Sequence, residues 1–185
     1  MSPSLPIRVS DLDPNHACKV LELVGAVAAD ADTILLTTEE FNITEEQERE
    51  YLAQFSQTPG ALALGMWQGD RLLGTLFIER GNRSRQRHVG TLGMSVLPDA
   101  RNRRIGTQLL RRALKRIEQE GVLRRVSLSV FGNNPYAIRM YEKAGFVHEG
   151  RREGAYCVDG MEVDEILMGW KVSRSEDGAR NEVSR

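Results

Sequence analysis

The sequence predicts a single-domain α/β protein in which a mixed sheet is flanked by helices. Short apolar segments typical of strands alternate with longer segments whose apolar residues recur at helical spacing. The length of 185 residues suits one domain with a core large enough to fold unaided. Hydrophobic residues make up 41% of the chain and charged residues 28%, which is ordinary for a globular protein.

One strand and two helices are predicted in the N-terminal third. Residues 7–9 form a short strand, and Asp11 or Asp13 then caps the first helix. The second helix begins at Thr44, where Thr-Glu-Glu-Gln fits a capping box, and ends at the Pro-Gly pair 59–60. Their apolar positions are Cys18, Leu21, Leu23, Val24, Val27 and Ala28 in the first helix, and Tyr51, Leu52 and Phe55 in the second.

Three strands are predicted in the middle of the chain. The first two, residues 61–67 and 71–79, are joined by Gln68-Gly69-Asp70, which is a hairpin signal. A polar loop, residues 81–87, leads to the third strand, residues 88–97.

The C-terminal half is predicted to alternate between helix and strand. A helix over residues 104–120 precedes a strand over Arg125–Phe131. Two further strands, residues 147–158 and 161–170, flank Asp159-Gly160, a strong type I′ turn pair. The apolar positions of the helix are Ile105, Leu109, Leu110, Ala113, Leu114 and Ile117.

Charge and composition argue against several partners. The net charge is −1, so bulk electrostatics predict neither a nucleic-acid nor a membrane partner. The N-terminus lacks the features of a signal peptide, and no apolar run approaches the ~20 residues of a membrane helix. We therefore expect a cytoplasmic protein whose domain spans residues 1–172 and whose polar tail, residues 173–185, is disordered.

The cysteines and histidines are too scattered to predict a metal site. The three histidines are far apart in the sequence, and no metal-ligand spacing is present. Cys18 and Cys157 are expected to be reduced and structural, rather than bridged or catalytic.

An arginine-rich turn between the strand 88–97 and the helix 104–120 is predicted to bind an anion. Free N–H groups and the positive end of the helix dipole favour negative charge at such a helix start. Arg101, Arg103 and Arg104 add positive charge at the same place. The chain contains neither G-x-x-x-x-G-K-[ST] nor G-x-G-x-x-G, so the two common nucleotide-binding loops lack support. A phosphate-bearing cofactor of another kind is expected.

The turn Arg101-Asn102-Arg103-Arg104-Ile105-Gly106 resembles the diphosphate-binding motif of the GNAT acetyltransferases. That motif consists of Arg or Gln, two residues, Gly, one residue, and then Gly or Ala. This chain departs from it at Arg104, which replaces the first glycine. Glycine lets a backbone approach a phosphate closely. We therefore expect Arg104 either to adopt ordinary helical geometry or to direct its side chain away from the phosphate.

A second segment, residues 133–146, is similar to the next motif of the same family. The family pattern N-x-x-A-x-x-L/M-Y-x-K-x-G-F is matched at every fixed position from Asn134 to Phe146. Asn134 is predicted to cap a helix that has Pro135 at its first position and that stops at Gly145. The two motifs occur in the family's order, with a strand between them.

The resemblance covers roughly residues 72–170 and implies the GNAT fold. In that fold the sheet is mostly antiparallel, and two central strands splay apart to admit the pantetheine arm of the cofactor. The strands concerned are the one that ends at Leu97 and the one that starts near Arg125.

Acetyl-CoA is the co-substrate that the resemblance implies. Its diphosphate would bind N–H groups along Arg101–Thr107, and its pantetheine amides would pair with the backbone of Met94 and Val96. Backbone donors near Met94 and Ser95 would polarise the thioester oxygen. The expected cofactor-binding residues are Met94, Ser95, Val96, Arg101, Asn102, Arg103, Arg104, Ile105, Gly106, Thr107 and Asn134.

Tyr141 is the catalytic residue that the resemblance implies, as the general acid for the CoA thiolate. Reference pKa values are ~10 for tyrosine and ~8.5 for a thiol, so full proton transfer is uphill by roughly 2 kcal/mol. A hydrogen bond that strengthens as charge develops on the sulfur is easier to defend. The alternative is that Tyr141 only packs in the core.

A general base for the amine is not identified by the sequence. Some relatives carry a glutamate in the strand before the arginine-rich turn, whereas residues 91–95 of this chain contain no carboxylate. A water chain is one alternative. The other candidates are Glu39, Glu40, Glu79, Asp164 and Glu165.

The acceptor pocket implied by the resemblance is lined by residues 32–42 and by the hairpin segment 152–164. Both are rich in carboxylates, which favours a cationic amine, although ordinary surface solvation explains them equally well. The hairpin resembles that of family members that acylate amino acids, other small amines or protein N-termini, and the resemblance does not choose among these acceptors.

Three classes of function follow. The leading one is an N-acetyltransferase in which a primary amine attacks acetyl-CoA directly, and a homodimer is common in that family. The second is a non-catalytic acyl-CoA sensor or scaffold. The third is a nucleic-acid binder that uses the basic runs 80–87 and 101–116; the near-zero net charge and the aromatic content of 6% argue against it.

Overall fold

The computed structural model of the chain describes residues 5–29, 35 and 39–172. The predicted tail, residues 173–185, lies outside the described residues, so the domain boundary at residue 172 stays a prediction. The loop 32–42 is described only at residue 35 and residues 39–42. Among the described residues, no helix is both long and apolar enough to span a bilayer.

Seven strands and four helices make up the described fold. The strands are β1 Ile7–Asp11, β2 Leu62–Gln68, β3 Arg71–Arg80, β4 Val89–Val96, β5 Arg125–Phe131, β6 Val147–Val158 and β7 Met161–Lys171. The helices are α1 Ala17–Ala28, α2 Glu45–Gln57, α3 Ile105–Glu120 and α4 Pro135–Lys143.

The strands form one sheet in the order β1-β2-β3-β4-β5-β7-β6. Every neighbouring pair is antiparallel except β4–β5, which is parallel. The prediction of a single-domain, mixed and mostly antiparallel sheet flanked by helices is therefore confirmed.

The helix ends follow from local side-chain chemistry. Asp13, rather than Asp11, is the first cap: it accepts from the backbone of Asn15 and starts a 3₁₀ turn that leads into α1. The capping box of α2 forms as predicted, with Gln47 N donating to Thr44 Oγ1 over 3.2 Å. Gly145 ends α4 with φ +93°, a conformation that glycine adopts without strain.

The apolar face of α1 differs from its prediction. The buried side chains are Ala17, Val20, Leu23 and Val27, whereas Cys18 is exposed. The reason is helical spacing: the buried residues recur every three or four positions on one face of α1, and Cys18 lies off that face. Both cysteines are free, as expected, but both are exposed, so neither forms part of the core.

Helices cover both faces of the sheet. Helix α3 packs on one face, where Ile105 lies close to Gly74 of β3. Helices α1 and α2 pack on the other face, where the ring of Tyr51 lies 5.6 Å from that of Phe77 of β3. All six predicted apolar residues of α3 are buried. Burial of each large aliphatic side chain stabilises the fold by roughly 1.5–3 kcal/mol.

The central strands β4 and β5 are paired only at their N-terminal ends. Their register runs from Val89 opposite Arg125 to Thr91 opposite Ser127 and stops there. Beyond that point β4 stays paired with β3 as far as Val96, while β5 stays paired with β7. A gap therefore opens between residues 92–96 of β4 and the end of β5, which confirms the predicted splay.

Candidate active site

The backbone hydrogen bonds of β4 alternate in direction along the strand. Leu97 N donates to Leu73 O over 2.9 Å, and Val89 O accepts from Gly81 N over 3.0 Å. Residues 89 and 97 thus both point their polar groups toward β3. Because the β3–β4 register has no shift, the odd-numbered residues between them do the same.

The even-numbered residues of β4 point the other way. His88 O accepts from Arg125 N over 3.2 Å, on the β5 side. By the same alternation, the N–H and C=O groups of Met94 and Val96 face the gap, while those of Ser95 face β3. Met94 and Val96 therefore offer backbone groups to the gap where the pantetheine pairing is predicted, whereas Ser95 N–H points away from it.

The arginine-rich turn has a left-handed backbone at two residues. Asn102 has φ +61° and Arg104 has φ +60° with ψ +19°. Of the two alternatives expected for Arg104, ordinary helical geometry is excluded, because Arg104 is the N-cap of α3 and adopts a left-handed conformation that favours glycine. That conformation costs an L-residue roughly 1–2 kcal/mol. The turn keeps a shape that suits the family's glycine although the glycine is absent.

Three backbone N–H groups at the start of α3 lack a partner within the helix. The first intrahelical bond runs from Gln108 N to Arg104 O over 3.0 Å, which leaves the N–H groups of residues 105–107 pointing out of the helix end. Arg101 N–H donates to Pro98 O, so it is already engaged. Within the predicted stretch 101–107, the helix start itself supplies the donors that an anion needs.

Side-chain bonds hold the turn against the sheet. Arg71 of β3 donates to both carboxylate oxygens of Asp99, over 2.8 and 2.9 Å. Arg103 donates to Gln68 Oε1 at the end of β2 over 3.1 Å. These contacts fix the position of the turn relative to β4.

Gly106 brings α3, α4 and β4 into close contact. A Cβ atom added to it would lie 3.1 Å from Met140 Sδ of α4 and 3.3 Å from Met94 Cε of β4. At the start of α4, Asn134 Oδ1 accepts from Ala137 N over 3.1 Å. This oxygen serves as the helix cap, and a role for Asn134 in cofactor binding stays a prediction.

Tyr141 of α4 is buried beside Phe146, with 5.6 Å between the ring centres. Burial raises the pKa of its hydroxyl well above the ordinary tyrosine value. Tyr141 therefore keeps its proton at neutral pH and is suited to donate a hydrogen bond rather than to give the proton away. Its catalytic role stays a prediction.

A cavity of about 460 Å³ lies on the opposite face of β4, between the sheet and helices α1 and α2. This volume is within the usual range for small-molecule sites. Met94 belongs to both regions, since it lines the cavity and its side chain also approaches Gly106. The lining residues are Val20, Val24, Ile43, Gln47, Glu48, Tyr51, Thr75, Phe77, Gly93, Met94 and Ser95.

Glu48 is the functional candidate in this cavity that the sequence prediction missed. Its side chain is 6% exposed, and its Oε1 atom is buried without a hydrogen-bond partner among the described residues. Burial raises the pKa of this carboxyl to about 7. A signal was present in the sequence: Glu48 shares the buried face of α2 with Leu52 and Phe55, at positions i, i+4 and i+7.

The five carboxylates considered from the sequence all lie outside the lining of this cavity. Glu165 accepts from Tyr156 Oη over 2.7 Å and from Arg152 Nη1 over 2.6 Å, and these hydrogen bonds, led by that of Tyr156, lower its pKa. Such a carboxylate is a weak base. The others are the exposed Glu39 and Glu40, Glu79, which accepts from Tyr51, and Asp164, which is paired with Arg151.

The C-terminal hairpin borders the same face of the sheet. Ser127 of β5 is paired with Thr91 of β4, so Phe131, four residues further on, lies on the face that carries Gly93. The Tyr156 ring stacks on Phe131 with 4.1 Å between the ring centres. The hairpin and the cavity thus flank the gap from two sides on one face.

A sequence profile described as the acetyltransferase (GNAT) family matches residues 29–146, which is more than half of the chain. An L-amino acid N-acetyltransferase of Escherichia coli (strain K12) is 29% identical over 115 residues, which cover 62% of this chain and 71% of that protein.

Solved structures show the same fold. An acetyltransferase of the GNAT family from Streptococcus pneumoniae superposes with a TM-score of 0.86 at 25% identity, covering 91% of this chain and 100% of that one. A GNAT-superfamily phosphinothricin acetyltransferase from Sinorhizobium meliloti, in complex with acetyl-CoA, superposes with a TM-score of 0.79 at 17% identity, covering 96% of this chain and 97% of that one. Together with the splayed strands, the match to the family profile over more than half of the chain identifies it as a member of the GNAT acetyltransferase family.

Proposed function

We propose that this enzyme transfers the acetyl group of acetyl-CoA to the primary amine of a small molecule by direct attack. The observation that carries this proposal is the position of Met94. Its backbone faces the gap that would hold the pantetheine arm, its side chain approaches the anion-binding turn, and it also lines the cavity on the opposite face. A donor held in the gap and an acceptor held in the cavity would meet at this residue.

The diphosphate of acetyl-CoA fits the turn between β4 and α3. Residues 105–107 offer N–H groups at the helix start, and the turn adds the positive charge of Arg101, Arg103 and Arg104. Backbone groups of Met94 and Val96 would hold the pantetheine amides. The N–H of Met94 would polarise the thioester oxygen, with a hydrogen bond that strengthens as charge develops there.

Tyr141 would stabilise the leaving sulfur. Because burial raises the pKa of its hydroxyl, Tyr141 donates a hydrogen bond to the developing thiolate and keeps its own proton. The proton that the sulfur finally takes comes from the amine nitrogen.

The acceptor is proposed to be a small amine such as an amino acid. The cavity has the size of a small-molecule site, and Glu48 is the charged group in its lining, which suits an ammonium ion. The likeness to an L-amino acid N-acetyltransferase supports the same class. The cytoplasmic location, the absence of a nucleic-acid partner and dimerisation stay predictions.

Calorimetry followed by a thiol-release assay tests this function. We expect acetyl-CoA to bind, NADH and ATP not to bind, and free thiol to appear only when an amine is added. Binding of acetyl-CoA without thiol release across amino acids and other small amines would instead indicate a sensor. A strongly salt-dependent shift of DNA or RNA in a gel would indicate a nucleic-acid binder.

A further inference from the structure

We propose that Glu48 is the general base that removes the proton from the acceptor's ammonium group. This inference rests on the proposed function, and it assigns a role that residues 91–95 cannot supply. An alkyl ammonium group has a pKa near ~10 and must lose a proton before its nitrogen can attack a thioester. A base near Met94 is therefore needed.

The position of Glu48 meets this need. Glu48 lies in α2 and lines the same cavity as Gly93, Met94 and Ser95 of β4. A Cβ atom added to Gly93 would contact nothing within 4 Å, so the space between the strand and the far wall is open at this point. An amine in the cavity can thus lie between the carboxylate and the strand that would hold the thioester.

The neighbours of Glu48 leave its carboxyl without a competing partner. Its neighbour Arg49 is turned away, donating to Pro14 O over 3.2 Å and pairing with Glu45. Tyr51, one turn further along α2, donates its hydroxyl to Glu79 over 2.6 Å. Among the described residues, Oε1 of Glu48 accepts no hydrogen bond.

The walls that face Glu48 carry no charge. Val20 and Val24 face it from α1, Thr75 and Phe77 from β3, and Gly93 from β4. On its own helix, Tyr51 is the other titratable group in the lining, and Gln47 is neutral. Burial of a carboxyl group without a hydrogen-bond partner in such surroundings costs folding free energy. An ammonium ion in the cavity would provide the missing partner.

Burial also suits the carboxyl to the task. Because desolvation raises its pKa to about 7, Glu48 binds a proton far more strongly than a surface glutamate does, yet it is substantially ionised at neutral pH. Glu165, by contrast, is held in its charged form by Tyr156 and Arg152.

The proton and bond changes balance. Glu48 takes one proton from the ammonium group, which frees the electron pair of the amine. The nitrogen then bonds to the acetyl carbon and the C–S bond breaks, its electron pair remaining on sulfur. The second proton lost by the nitrogen goes to the sulfur, and Glu48 returns its proton to water.

The test compares Glu48→Gln with Glu50→Gln, a control on an exposed position of the same helix. For Glu48→Gln we expect kcat/KM for the amine to fall about 100-fold or more, with unchanged affinity for acetyl-CoA. The loss should shrink as the pH approaches the pKa of the amine, because the free amine no longer needs a base. Glu50→Gln should behave as the wild type.

A direct titration provides a readout that does not depend on turnover. In protein labelled with ¹³C at the glutamate carboxyl groups, NMR should show one carboxyl that titrates near pH 7 in the wild type and in Glu50→Gln, and that is missing from Glu48→Gln. The inference is overturned if no glutamate titrates above its ordinary value, or if Glu48→Gln retains wild-type activity and pH profile. A wild type that binds acetyl-CoA but acetylates no amine overturns the proposed function itself, and with it the role of Glu48.

Discussion

Gly106 at the start of α3 lies directly against Met94 of β4, so close that a Cβ atom on the glycine would be 3.3 Å from Met94 Cε. This contact couples the arginine-rich turn to the strand that faces the gap. Replacement of Gly106 by valine, which is larger than the Gly or Ala of the family motif, should therefore disturb both. Because valine overfills the space against the Met94 and Met140 side chains, we expect a loss of stability of about 1–3 kcal/mol.

The affinity of Gly106→Val for acetyl-CoA should fall together with its stability. Chemical denaturation and calorimetry measure the two effects on the same sample. Gly121→Ala is a useful comparison, because a Cβ atom there meets nothing within 4 Å although its φ of +67° strains any alanine. Its stability should drop while its acetyl-CoA affinity is kept; equal losses of affinity in both variants would contradict the coupling.

Replacement of Gly93 should affect binding of the acceptor rather than stability or binding of acetyl-CoA. An added methyl group would enter the open cavity without meeting another atom, so Gly93→Ala should fold with unchanged stability. Because the methyl group occupies space proposed for the acceptor, KM for the amine should rise several-fold while acetyl-CoA affinity changes little. Steady-state kinetics with both substrates varied provide the measurement, and an unchanged KM for the amine would place the acceptor elsewhere.

Restoration of the family's glycine by Arg104→Gly should stabilise the protein. Relief of the left-handed conformation gains roughly 1–2 kcal/mol, from which the greater flexibility of the unfolded chain subtracts about 0.5–1 kcal/mol. The same substitution at Arg112, in the interior of α3, should cost about 1 kcal/mol. Thermal unfolding of the two variants should therefore shift in opposite directions.

Tyr141→Phe should lower kcat and leave acetyl-CoA affinity nearly unchanged. The phenylalanine ring fills the same buried space beside Phe146, while the hydrogen bond proposed for the leaving sulfur is lost. Measurement of kcat and of binding by calorimetry separates these effects. Normal turnover in a folded Tyr141→Phe protein would show that the tyrosine only packs in the core.

The pH dependence of stability should reveal the raised pKa of Glu48. Its folded pKa of about 7 lies above the ordinary glutamate value of 4.5, so the folded state binds its proton more tightly than the unfolded state does. The contribution of protonated Glu48 to the free energy of unfolding is complete below pH 4.5 and is lost as the pH rises through about 7. At high pH the free energy of unfolding is lower by an amount on the order of 3 kcal/mol.

Glu48→Gln removes this titration, so the stability of the variant relative to wild type should rise between pH 4.5 and 8. Denaturation at several pH values gives the difference directly. Parallel stability curves for the two proteins would show that Glu48 titrates normally.

Much of this protein follows from short stretches of sequence. The left-handed pair Asp159 and Gly160 forms the hairpin turn predicted from these two residues alone, with φ of 49° and 78°. Asn134 caps α4 and Gly145 ends it, because each acts on backbone groups within a few residues. Caps and tight turns are local interactions, and the sequence by itself determines them.

Tertiary structure decided the chemistry of the site. In the sequence, Glu48 is one of several glutamates in a polar helix. Only the docking of α2 on the sheet buries its side chain and raises its pKa. The backbone direction of Met94 depends on register with β3, and the geometry of Arg104 on a turn held by Arg71 and Asp99. Desolvation, strand register and enforced backbone conformation are produced by residues distant in the chain, so the local sequence could not determine them.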